Sequence, residues 1–186
     1  MTSAIEDGVE EADEALFRAY LGGEHAAFAT LYQRYRQSLF LYLLRSLGSH
    51  SEAEDLYHDC WSRVLQSDAP FQDGLFRAYL FKIARNLTID HQRKRSLRLV
   101  RAEDQLAGEA TAPSADRVQA GVDCEEMMRQ AIQQLPTEQR DTFLLKEESG
   151  LSLEQIATLM ASGRETIKSR LRYAMQRLRT VLEECL

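Results

Sequence analysis

The stretch RETIKSRLRYAMQRLR, Arg164–Arg179, decides how the rest of the chain is read. Ile167, Leu171, Ala174 and Leu178 recur at steps of four and three, the spacing that lines apolar groups along one face of a helix. Arg164, Lys168, Arg170, Arg172, Arg177 and Arg179 fall largely elsewhere, so one face packs and the remainder is cationic. By itself this pattern also describes a solvated amphipathic helix, and its neighbours must decide.

Upstream, Ser152 with Gln155 forms a capping-box pattern ahead of Leu153, Ile156, Ala157 and Met160, an apolar i, i+3, i+4, i+7 set. Ser162 with Glu165 repeats the pattern at the start of the basic helix. A short helix, a tight turn and a basic helix make a helix-turn-helix, whose second helix enters the DNA major groove. Before them, Pro136 opens a helix running through Phe143 and Leu144 to a stop at Gly150.

Working further outward, nothing reads as a strand. Phe28, Leu31, Tyr32, Tyr35, Leu39, Tyr42 and Leu43 form a long helical stripe ended by Gly48 and Ser49. Ser51 and Glu54 are expected to cap a second helix carrying Leu56, Tyr57, Trp61, Val64 and Leu65. A loop, SDAPFQDG at 67–74, precedes a third helix with Phe76, Tyr79, Leu80, Ile83, Ala84 and Leu87 on its buried side. That helix ends in the basic run HQRKRS, and Tyr79 and Trp61 read as core aromatics. From 97 to 122 the periodicity fades into Ala, Gly, Ser, Thr and Pro, a composition that marks a linker. The expectation is an all-α chain of two small helical domains, 16–96 and 123–186, joined by that linker and preceded by an acidic tail at 1–15.

Charge sharpens this division. The formal net charge of the 186 residues is −6, yet Glu6, Asp7, Glu10, Glu11, Asp13 and Glu14 lie in a first stretch without Lys or Arg. Beyond it the chain is neutral, and Arg77, Lys82, Arg85, Arg93, Lys94, Arg95, Arg98 and Arg101 cluster around a single acid, Asp90. Each half thus carries its own cationic patch, and a phosphate backbone responds to local potential rather than net charge. The acidic run reads as a frayed tail, or as a shield for a basic surface. No apolar run is long enough to span a bilayer, and the N-terminus lacks a signal-peptide pattern; the expectation is a cytoplasmic protein without membrane insertion. Cys60, Cys124 and Cys185 are odd in number and far apart, so packed or exposed thiols are expected, with no metal and no cofactor.

These motifs together resemble the small extracytoplasmic-function members of the sigma-70 family. LPTEQRDTFLLKEESGLSLEQIATLMASGRETIKSRLRYAMQRLR resembles region 4, SEAEDLYHDCWSRVLQ the polymerase-binding helix of region 2, and RAYLFKIARNLTIDHQRKR the helix that reads the promoter −10 element. The resemblance implies a non-enzymatic subunit that binds bacterial core RNA polymerase and promoter DNA and is held by an anti-sigma partner. By position it implies polymerase contacts at Ala53, Glu54, Asp55, Leu56, His58 and Asp59. It likewise implies −10 contacts at Phe71, Gln72, Asp73, Lys82, Arg85, Asn86, Arg93 and Lys94, and −35 contacts at Arg164, Thr166, Lys168, Arg170 and Arg172. Melted bases need a pocket or aromatic surface, and the flanking phosphates need cations.

Ala161 and Ser162 depart from the family's usual glycine and apolar residue in the helix-turn-helix turn; Tyr79 stands at a frequent tryptophan position and His58 at a common glutamine. Glu165 suits either a cytosine contact or a cap, and Asp55 and Asp59 suit either a binding row or a solvated face. Two other readings exist: a helix-turn-helix regulator acting without polymerase, and a metal-dependent phosphohydrolase built on His50, His58, Asp59 and Asp90.

Overall fold

The computed structural model describes residues 13–66, 75–105 and 124–184, and among these every regular element is a helix. Helix α1 covers residues 13–21, α2 His25–Leu47, α3 His50–Leu65 and α4 Phe76–Gln105. The second region contains α5 Cys124–Gln134, α6 Thr137–Ser149, α7 Leu153–Leu159 and α8 Arg164–Glu184.

The α2 stripe supplies the centre of the first region. Leu31, Tyr35, Leu39, Tyr42 and Leu43 are buried, while Phe28 and Tyr32 close on Trp61 of α3 with ring centroids 5.5 and 5.1 Å away. Trp61 is buried and Tyr79 packs against Phe17 and Phe76, so both serve as core aromatics. Phe81, absent from the apolar stripe read for α4, is also fully buried and meets Tyr42 edge-on at 5.5 Å. The acidic run does not stay free to residue 15. Asp13, the first described residue of α1, is buried, accepting from the Tyr35 hydroxyl and pairing with Arg34. Residues 1–12 lie outside the described set.

Gly48 ends α2 in the left-handed region at φ 73°, its N–H bonded to Leu44 O at 2.8 Å. The chain turns extended at once, so Ser49 rather than Ser51 becomes the N-cap of α3, accepting from Glu52 N at 3.4 Å. Glu52, now at the N3 position, turns its carboxylate to α4, 3.3 Å from His91 and 3.2 Å from Arg95. Helix α4 also runs on past 97 to Gln105, because no Gly or Pro interrupts 76–105 and charged residues sustain a helix without an apolar face. Residues 106–122, the remainder of the linker stretch, and residue 123 lie outside the described residues.

In the second region Pro136 precedes α6, Gly150 ends it at φ 68°, and Ser152 with Gln155 makes both bonds of a capping box. Ile156, Ala157, Ile167, Ala174 and Leu178 are buried, as the periodicity required. The start of α8 differs from expectation. Ile167 N bonds to Gly163 O at 3.1 Å, placing the helix start one residue later, and Ser162 Oγ accepts from Arg170 at 3.5 Å rather than capping. The turn places Ala161 in the left-handed region at φ 48°.

The two regions pack on one another: α2 lies against α5 and α6, and α4 against α6 and α7, with buried residues of both regions in one continuous core. Arg45 pairs with Glu148, and the Gln133 amide donates to the Arg45 carbonyl beside Gly48. Cys60 is a buried free thiol, pushed up to about 12 by burial. Cys124 is disulfide-bonded, which corrects the expectation of three thiols; cysteine spacing along the chain does not report which sulfurs meet.

Candidate polymerase and nucleic-acid interfaces

Helix α3 is buried on one side by Ala53, Leu56, Tyr57, Cys60, Trp61 and Val64. Two of the six positions expected to contact polymerase, Ala53 and Leu56, therefore face the core. Glu54, Asp55, His58 and Asp59 remain exposed, at spacings that place them on neighbouring rows of one face. Glu54 lies 3.5 Å from His50, and with Asp55 and Asp59 it makes this face mainly one of carboxylates.

On α4, Lys82, Asn86 and Arg93 are exposed and share one row opposite the buried side, extending about 16 Å along the helix axis. Arg93 is held by Asp90 at 3.2 Å, and Lys94 is exposed on an adjoining row. Among the described residues neither Lys82 nor Lys94 makes an ion pair. Arg85 behaves differently. It is turned to the second region, with Nε donating to Asp141 Oδ2 at 3.1 Å and a side chain only 13% exposed. Phe71, Gln72 and Asp73 lie outside the described residues.

The five positions expected to meet the −35 element divide over two flanks of α8. Arg164, Lys168 and Arg172 follow one row, and Thr166 and Arg170 the other. Arg164 pairs with Glu154 of α7, bracing the two helices of the helix-turn-helix. Glu154's own backbone N–H, together with Arg164, holds its carboxyl below the ordinary range. Arg172 stacks over the Tyr173 ring at 5.0 Å, and Lys168 is 65% exposed. Glu165, exposed and only 3.9 Å from both Arg164 and Lys168, is free of capping duty and sits in the first turn of α8.

The sequence reading missed Glu138 and Asp141, which take up Arg85 and Arg170. Glu138 lies in the first turn of α6, where the helix dipole accounts for an acid locally, and Asp141 follows one turn on, so nothing in TEQRD points to arginines on two other helices. The phosphohydrolase alternative loses its geometry: His50 pairs with Glu54 and Asp90 with Arg93, and no group of three or more His, Cys, Asp or Glu able to hold a metal ion occurs among the described residues. No described helix is long and apolar enough to cross a membrane.

Comparison with known proteins agrees with this layout. The model of Sigma-70 region 2 matches residues 31–98, and that of Sigma-70, region 4 matches residues 125–178. The ECF RNA polymerase sigma factor SigL of Mycobacterium tuberculosis is 34% identical over 95% of this chain and 94% of its own length. The RNA polymerase sigma-H factor of Pseudomonas aeruginosa is 28% identical over 95% of this chain and 97% of its own. Among solved structures, the sigma factor RpoE of Bartonella quintana, crystallised with the anti-sigma factor NepR, superposes with a TM-score of 0.68 at 27% identity. That alignment covers 84% of this chain and 96% of RpoE. The two matched regions, in family order and each presenting an exposed cationic helix, place the chain in the sigma-70 family: it is an extracytoplasmic-function sigma factor.

Proposed function

We propose that this sigma factor docks on bacterial core RNA polymerase through the exposed acidic face of α3, with Asp55 and Asp59 as its central charges and Glu54 and His58 beside them. Helix α4 then engages the −10 element, with Lys82, Asn86, Arg93 and Lys94 on the backbone and Arg85 joining them once released from Asp141. The first three turns of α8 engage the −35 element through Arg164, Thr166, Lys168, Arg170 and Arg172. Each cation answers a phosphate, whereas sequence is read where side chains reach base edges or hold unstacked bases.

The observation that carries this reading is the pairing of an acidic face on α3 with an exposed cationic row on α4 in the same packed region. A cationic row attracts the polyanion and an acidic face does not, so the two leave DNA and a protein partner separate places to bind. The chain itself supplies no chemistry; polymerase forms the phosphodiester bonds, and this subunit contributes recognition and melting. Tethering the two regions raises the effective concentration of the second once the first has docked, so each can be weak alone. An anti-sigma partner, as in the RpoE complex, is the proposed antagonist. Selection of promoters from a randomised duplex library by core polymerase plus this chain tests the proposal. The expected product is a bipartite −35 and −10 consensus giving run-off transcripts; transcripts no more abundant than with core polymerase alone would contradict it.

A further inference from the structure

We infer that Glu138 and Asp141 of α6 form an intramolecular clasp that occupies one arginine from each DNA-facing helix, restraining both promoter-reading surfaces in the free chain. The inference rests on the assignment of α4 and α8 to promoter DNA.

The geometry is a four-residue relay. Asp141 Oδ2 accepts from Arg85 Nε at 3.1 Å; Glu138 Oε1 lies 3.9 Å from Arg85 Nη2; Glu138 Oε2 lies 3.0 Å from Arg170 Nη1. One carboxylate thus bridges α4 and α8, and a second closes on α4 from beneath. The effect on exposure is selective. Arg85 and Arg170 retain 13% and 26% of their side-chain surface, against 57% and 65% for Arg164 and Lys168. A guanidinium donates in a planar fork that suits carboxylate and phosphate equally, so acids seated on that fork stand where phosphate oxygens would sit.

The contact also crosses between regions. Arg85 belongs to the stretch matched by region 2, and both acids to the stretch matched by region 4, so Arg85 is released only when the regions part or the acids are displaced. The rest of the seam, Arg45 with Glu148 and α2 against α6, holds the acids in register. Asp141 is itself almost fully buried, and burial pushes its carboxyl above its ordinary value despite Arg85 and Arg140 beside it. Taking Arg85 from a buried Asp141 would leave that charge unpaired, so release of Arg85 goes with separation of the regions, which returns Asp141 to water.

A double-mutant cycle on the full chain tests the clasp. The readout is fluorescence anisotropy of a labelled single-stranded DNA of about 16 nucleotides and of its duplex. If the clasp occupies Arg85, Arg85→Gln costs less than about twofold in DNA affinity in the wild-type background and about fivefold when Glu138→Gln and Asp141→Asn are present. Glu138→Gln alone gives a smaller effect of the same sign, which keeps the test intact if the double neutralisation unfolds. Glu147→Gln with Glu183→Gln removes the same charge away from the relay and leaves the cost of Arg85→Gln unchanged. An equal cost of Arg85→Gln in all backgrounds overturns the clasp. Because the cycle contains no polymerase, co-elution of the same variants with core polymerase reports separately on the functional reading.

Discussion

Arg85 of α4 and Asp141 of α6 meet at 3.1 Å across the seam between the two regions, and this pair turns a cation expected on a DNA surface into an internal contact. Asp141 is the more deeply buried of the two, with a side chain 4% exposed. Its carboxyl is raised above the ordinary 3.8, first by burial and then by Glu138, against the pull of Arg85 and Arg140.

The sign of the resulting pH dependence follows. A carboxyl that binds its proton more readily in the folded chain makes stability fall as pH rises from the ordinary carboxylate range through the raised value, and leaves it constant above. Asparagine carries no such dependence. Asp141→Asn should therefore melt near the wild type at acid pH and gain on it as pH increases towards neutrality, by thermal melts in parallel buffers. A difference that moves the other way contradicts the assignment.

Ala161 occupies the left-handed region in the helix-turn-helix turn, where an L side chain is disfavoured by about 1–2 kcal/mol and glycine is not. Part of that gain is lost to the greater freedom of glycine in the unfolded chain. Ala161→Gly should stabilise the protein by about 0.5–1 kcal/mol in urea unfolding, and a destabilised variant would show that the turn adopts another geometry.

Asp13 joins α1 to α2 through Arg34 and the Tyr35 hydroxyl, which in turn accepts from Arg77 Nε at 3.3 Å. Asp13→Asn keeps the shape and removes the charge, leaving Arg34 without its counterion. A loss of about 1–3 kcal/mol is expected in the same unfolding measurement. No loss would return Asp13 to the status of a tail residue.

Much of this was legible in the amino-acid order, and the exceptions share a physical cause. The stripes of α2 and α8 and the stops at Gly48 and Gly150 depend on contacts within a turn or two, so periodicity and glycine placement report them. The shift of the α3 cap from Ser51 to Ser49, the burial of Phe81, and the length of α4 depend on what each helix meets in space. The candidate binding rows were half legible. Family position named Ala53 and Leu56 beside Asp55 and Asp59, but only packing separates the two that face inward. Arg85 and Arg170 read as cations like the others because their acids lie on a different helix from each.

Lys168, exposed on the outer row of α8, should behave as a phosphate contact. Lys168→Ala is expected to weaken binding to duplex DNA across sequences and to reduce the slope of log affinity against log salt by about 0.9. An unchanged slope would remove Lys168 from the interface.

The most direct test of the central claim is co-elution of the purified chain with bacterial core RNA polymerase on a sizing column, beside the Asp55→Ala variant. Asp55 is exposed on α3 and outside the buried core, so the variant keeps its fold and isolates the contact. The account predicts a stable complex for the wild type and a weakened one for Asp55→Ala. Failure of the wild-type chain to co-elute, with duplex-DNA binding intact, would contradict it and leave a helix-turn-helix protein that acts without polymerase.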